Sequence, residues 1–188
     1  MDAGARFLVA VTGASGVEYA RRLIEVLGTR TDVIVTKDAE AVIEVETGLS
    51  FKEFSAGVHT LYRGEDLAAP PASGSHRFHG LVIVPCSGTT LAKIASGIAD
   101  NLVTRAAAVS LKEHRPLILV PRETPVSAIG LENELKLARL GAVILPASPG
   151  FYGRPKRIDD LVDFVVARIL DQLGVEHGIG VRWRGPPE

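Results

Sequence analysis

"RFLVAVTGASGVEYA", residues 6–20, is the stretch whose reading decides the fold. After Arg6 the run "FLVAV" is apolar throughout, without alternation. A short continuous apolar run indicates a strand buried on both faces, as in a parallel sheet covered by helices. "TGASG" follows, a glycine-bearing turn that opens a helical pattern over 16–28. Glycines there let a ligand approach the backbone, and the first N–H groups of a new helix attract an anion. The turn reads as a phosphate site at Gly13, Ser15 and Gly16, or as a tight strand–helix turn capped by Ser15. The middle glycine of the dinucleotide fingerprint is missing, which argues against a nicotinamide dehydrogenase.

The same unit recurs along the chain. Further strand candidates lie at 32–36, 80–85, 116–121 and 142–146, and helix candidates at 38–47, 88–96, 100–114, 127–140 and 158–173. In the last, Asp159 and Asp160 occupy the first turn, where the helix dipole favours negative charge. Strand and helix in alternation predict a doubly wound α/β fold, Rossmann-like or flavodoxin-like, with helices on both faces of a parallel sheet. A single domain over 1–174 is expected, followed by a Gly- and Pro-rich tail, 175–188. The tail holds the only tryptophan, Trp183. It reads either as an anchor on a neighbouring subunit or as a segment folded onto its own domain. Residues 48–79 break the rhythm and read as a long loop, functional or disordered, with "APPASGS" at 69–75.

Composition narrows the function. The chain has 188 residues, 46% of them hydrophobic, and a formal net charge of −1. That balance offers no electrostatic reason to expect nucleic acid or an anionic membrane as partner. No apolar run reaches the ~18 residues of a membrane helix, and the N-terminus lacks the order of a signal peptide. With Cys86 as the one cysteine, no disulfide forms within the chain, and a reducing cytoplasm is expected. His76 and His79 have no cysteine or carboxylate at ligand spacing, so no metal site is expected.

Ligands of such folds bind outside the carboxyl ends of the strands. "VPCSGTTLAK" (84–93) sets Ser87, Gly88, Thr89 and Thr90 at a second strand–helix turn, offering amides and hydroxyls, or ordinary capping. Cys86 reads as a small core residue rather than a nucleophile. Arg105 and Lys112, two helical turns apart, share a face suited to a phosphate or simply to water. "LILVPRETP" (117–125) ends a strand on Arg122 and Glu123, stiffened by Pro121 and Pro125. "PASPGFYGRPKR" (146–157) brings Phe151 and Tyr152 as a wall for a flat ring or hydrocarbon. Glu46 and Glu123 are the carboxylates available as acid or base.

Together these segments resemble the UbiX-type family of flavin prenyltransferases. The resemblance rests on "VTGASG", "APPASGS", "PCS", "TLAKIASGIADNLVTRAA", "LKEHRPLILVPRETP", "LENELKLARLGAVILP", "PGFYGRP" and "DDLVDFVVARILDQLG", and spans about residues 6–174. Even "RW" of the tail recurs in relatives. It implies metal-independent transfer of a dimethylallyl group from dimethylallyl phosphate to N5 and C6 of reduced FMN. The prenylated FMN then serves a UbiD-type decarboxylase. It implies FMN contacts at Gly13, Ala14, Ser15, Thr36, Ser87, Gly88, Thr89, Thr90 and Arg122. Ser73, Arg105, Lys112, Arg122, Glu123, Tyr152 and Arg168 are implied to face the substrate phosphate and prenyl chain. Ser15, Glu46, Glu123 and Lys112 are implied to be catalytic. Relatives assemble this site between subunits of a homododecamer. Leu67 departs from the tryptophan of some relatives, and 48–66 match poorly. The rivals are an FMN-dependent cysteine decarboxylase, whose "PASANT"-like turn is replaced here by "PCSGTT", and a flavodoxin-like electron carrier, which has no use for a second phosphate site.

Overall fold

The computed structural model describes residues 6–183 and 185. The outermost parts of the expected domain and tail, 1–5, 184 and 186–188, lie outside the described residues. Six strands form one parallel sheet in the order β3-β2-β1-β4-β5-β6. These are β1 (Phe7–Val11), β2 (Thr31–Val35), β3 (Thr60–Arg63), β4 (Gly80–Cys86), β5 (Leu117–Pro121) and β6 (Val143–Ile144). The helices are α1 (Val17–Leu27), α2 (Lys37–Thr47), α3 (Phe51–Phe54), α4 (Gly88–Ala95), α5 (Leu102–Lys112), α6 (Ala128–Arg139) and α7 (Ile158–Gln172).

The continuous apolar runs are explained by burial on both faces. All residues of β1, β2, β4 and β5 are buried. Successive side chains leave a strand on opposite sides. Phe7, Val9, Val11, Val33, Val82 and Ile118 therefore pack with Leu23 and Ile24 of α1 and Val166 and Ile169 of α7. Leu8, Ala10, Ile34, Leu81, Ile83 and Leu119 pack on the other face with Leu91 of α4, Val103 and Ala107 of α5 and Leu137 of α6. Pro85 lacks an N–H, and the β4–β5 register shifts between Ile83 and Cys86, just where it stands.

Two expectations need correction. Residues 48–79 are not one long loop. They contain α3, the edge strand β3 and a 3-10 turn at Pro70–Ala72. β3 escaped notice because it is four residues long and half-exposed, with no buried run to announce it. β6 is shorter than expected, although its hydrogen bonding continues from Leu145 N to Leu119 O and Ala147 N to Pro121 O. No helix among the described residues is long and apolar enough to cross a membrane.

The strand order reverses between β1 and β4. In open α/β sheets that switch point opens a crevice at the carboxyl ends of the two strands. The turns 12–16 and 86–90 flank it.

Candidate active site

Thr12 ties the two turns together. Its buried hydroxyl donates to Pro85 O at 2.7 Å and accepts from Ser87 N at 2.9 Å. Sequence reading passed over Thr12. The available signal was a hydroxyl residue closing a fully apolar strand, where burial requires a partner. Ser87 caps α4, its Oγ accepting from Thr90 N at 3.2 Å and donating to Thr90 Oγ1 at 3.0 Å. Gly88 and Thr89 lie exposed at the start of that helix.

Gly13 is exposed on one side and crowded on the other. A Cβ built there would stand 2.7 Å from Asp38 Cβ. Thr36 sits beside this turn, with its N–H donating to Val11 O at 3.1 Å and its Oγ1 accepting from Ala39 N at 3.3 Å, the N-cap of α2. From β5, Arg122 reaches across β4, and its Nε donates to Ser15 O at 3.2 Å. Glu123 stands by the start of α4, its Oε2 3.5 Å from where a Gly88 Cβ would be. Gly13, Ala14, Ser15, Thr36, Ser87, Gly88, Thr89, Thr90, Arg122 and Glu123 thus gather along one edge of the sheet.

Glu46 modifies the reading of the first turn. Its carboxylate accepts from Gly16 N at 2.9 Å and Val17 N at 3.0 Å. Gly16 adopts φ 108°, a left-handed value that favours glycine. A carboxylate of the chain itself therefore holds the N-terminus of α1, the position expected to draw a phosphate. The start of α4 has no such carboxylate bound to its N–H groups among the described residues.

Other predicted residues lie elsewhere in the single chain. α5 begins beside the end of β3, Leu102 N donating to Gly64 O at 2.7 Å. It ends near the opposite edge, where Pro116 packs against Gly80 at the start of β4. Lys112 is consequently remote from the switch point and pairs with Glu113 at 2.8 Å. Arg105, earlier on α5, donates to Ala72 O at 3.1 Å, and Ser73 bonds Ser75 at 2.8 Å. Ser73, Arg105 and Lys112 form one exposed flank of α5. Arg168 lies toward the end of α7 and pairs with Asp171 at 2.9 Å. Tyr152 packs edge-on against Phe164 and Trp183, with centroids 5.6 and 5.5 Å away. The described tail follows α7 of its own chain.

Cys86 is buried, and burial, aided by the nearby Glu134 charge, pushes its thiol up to about 12. A thiol so disfavoured as thiolate is a core residue and not a nucleophile.

Residues 1–170 match the family model described as Flavoprotein. The flavin prenyltransferase UbiX of Thermoplasma acidophilum is 49% identical, the alignment covering 95% of this chain and 99% of the relative. The UbiX of Methanocaldococcus jannaschii is 44% identical over 95% of this chain and 98% of its own. The chain belongs to the UbiX family of flavin prenyltransferases. A UbiX structure, AnUbiX in complex with FMN and dimethylallyl pyrophosphate, superimposes with a TM-score of 0.94 at 42% identity, covering 97% of this chain and 99% of that one. A dodecameric FMN-dependent UbiX-like decarboxylase from Escherichia coli O157:H7 superimposes with 0.93 at 44% identity, covering 96% and 100%. The FMN-dependent cysteine decarboxylase TvaF shares the fold alone, at 20% identity and a TM-score of 0.63 over 90% of this chain and 98% of that one.

Proposed function

We propose that this chain is a flavin prenyltransferase that joins the dimethylallyl group of dimethylallyl phosphate to N5 and C6 of reduced FMN without a metal ion. The observation that carries the reading is the close match to a UbiX solved with FMN and dimethylallyl pyrophosphate. The chain's own geometry fits a flavin. The switch-point edge is walled by backbone and small side chains, with Gly13 flat against Asp38 and with Arg122 as its cation. Bound reduced flavin supplies the nucleophilic nitrogen and carbon.

The remaining work falls to side chains. Gly13, Ala14, Ser15 and Thr36 hold one side of the FMN, and Ser87, Gly88, Thr89 and Thr90 the other. Phosphate leaves with the electron pair of the allylic C–O bond as the N5–H proton is lost and the C–N bond forms; the prenyl C=C bond then takes up a proton, and its tertiary carbon bonds C6, whose hydrogen is lost as a proton. The net gain on reduced flavin is C5H8, and the proton lost goes to phosphate. Charge developing on the leaving oxygen is met by Arg122, together with Arg105, Lys112 and Arg168. Ser73 donates a hydrogen bond to that phosphate, and Tyr152 screens the prenyl chain from water. Glu123 delivers a proton to the leaving group, and Ser15 and Glu46 move one near the flavin. Because one chain leaves Lys112 and Arg168 away from Arg122, the full set is assembled between subunits of a homo-oligomer, a dodecamer by analogy. The product serves a UbiD-type decarboxylase in the cytoplasm.

The test is mass spectrometry of flavin extracted after anaerobic incubation with reduced FMN, dimethylallyl phosphate and a chelator. A C5H8 gain is expected. Tightly bound but unmodified FMN overturns the reading.

A further inference from the structure

The C-terminal tail carries a side-chain network around Asp171. Arg168 Nη1 lies 2.9 Å from Oδ2 of this carboxylate, Arg182 Nη2 2.8 Å from Oδ1, and His177 Nε2 3.1 Å from Oδ1. The His177 side chain is only 2% exposed, and its Nδ1 lies 3.1 Å from Ile179 O. Asp171 thus holds residues 177 and 182 of the tail from one point near the end of α7. Burial raises the Asp171 carboxyl. The hydrogen bonds from Arg182 and His177 and the charges of Arg168 and Arg182 outweigh it and hold the group below the usual carboxylate range.

Beyond His177 the tail turns back along α7. Gly180 lies so close that a Cβ would stand 2.7 Å from Ala167 Cβ, and its φ of +73° favours glycine. Val181 then packs on Gly153 and accepts from the Tyr152 hydroxyl at 3.5 Å, and Trp183 meets the Tyr152 ring edge-on. The tail therefore links α7, which carries Arg168, to the loop that carries Tyr152. The Arg168 and Arg182 side chains remain 50% and 59% exposed. Two guanidiniums on one carboxylate leave positive charge uncompensated, which suits a phosphate ester.

We infer that Asp171 is a positioning residue that latches the tail through His177 and Arg182, so that Arg168, Tyr152 and the added guanidinium of Arg182 form one phosphate-binding end of the site. The kinetic half of this inference rests on the prenyl-transfer reading; the docking half does not. Trp183, the only tryptophan of the chain, is a built-in probe of docking. Its anisotropy and acrylamide quenching are to be measured in the full-length FMN-loaded protein, wild type, Asp171→Ala and His177→Gln. Steady-state prenyl transfer from dimethylallyl phosphate and FMN affinity are to be measured alongside. In Asp171→Ala, Trp183 gains mobility, KM for dimethylallyl phosphate rises about tenfold, kcat stays within about twofold and FMN affinity is unchanged. His177→Gln changes the same quantities by less, and it decides the question if Asp171→Ala does not fold. An unaltered Trp183 overturns the latch. A freed Trp183 with unaltered KM overturns the positioning role. If the wild type leaves FMN unmodified, the prenyl-transfer reading fails, and Trp183 mobility alone decides whether the latch stands.

Discussion

The switch-point edge and the exposed flank of α5 treat their predicted residues differently. At the edge, β1, β4 and β5 end side by side, and their turns converge within one chain, with Thr12 bonded to Pro85 and Ser87 and Arg122 bonded to Ser15. Along α5, Ser73, Arg105 and Lys112 lie outside this edge, and Arg168 lies on α7, on the other face of the sheet. The edge is a backbone cradle, made wherever parallel strands stop together. Lys112 stands at the far end of α5 and Arg168 toward the end of α7, away from the strand ends. On the proposed function, flat-ring binding falls to the single chain and phosphate binding to the assembly.

The strongest way to break this comparison is to divide the site between chains. Arg122→Ala and Lys112→Ala are each expected to lower prenyl transfer by about 10²–10³-fold. If the two residues serve one site from different subunits, mixed refolding restores roughly a quarter of wild-type activity, since only sites that draw Arg122 from a Lys112→Ala subunit and Lys112 from an Arg122→Ala subunit are complete. Mixtures as inactive as their parents would place both residues in one subunit's site. A smaller effect sharpens the cradle itself. Gly13→Val forces a side chain against Asp38 and is expected to cost about 1–3 kcal/mol by overpacking, with FMN affinity down at least about tenfold. Calorimetry and FMN titration check it, and normal FMN affinity would remove the close approach from the argument. Thr12→Val keeps the shape but leaves Ser87 N without its acceptor, and denaturant melts should show a loss of about 1–3 kcal/mol. The smallest change is expected from Cys86→Ala, with turnover within about twofold, because the thiol is buried and protonated. A large loss of turnover in that variant, with FMN still bound, would return Cys86 to the mechanism.

Much of this was legible in the chain itself. Runs such as "FLVAV" and "LILVP" could only be doubly covered strands, and the turns after β1 and β4 could be named as ligand turns from their glycines and hydroxyls. Thr12 was missed because its importance is a pair of long-range bonds, to residues more than seventy positions away. β3 was missed because an edge strand needs no continuous apolar run. Glu46 was legible as an acid or base, but not as the group that holds the N-terminus of α1, since nothing local brings residue 46 to residue 16.

By itself, then, the sequence determined the layers, the alternation of strand and helix outside residues 48–79, and the chemical character of the turns, because periodicity and turn chemistry are local. Only the tertiary structure decided where the strand order reverses, which turns share that crevice, and which cations stand apart from it. It also decided that the tail doubles back on α7 through Asp171 and His177. These are matters of distance between residues far apart in the chain, set by sheet order and helix packing rather than by any neighbouring residue.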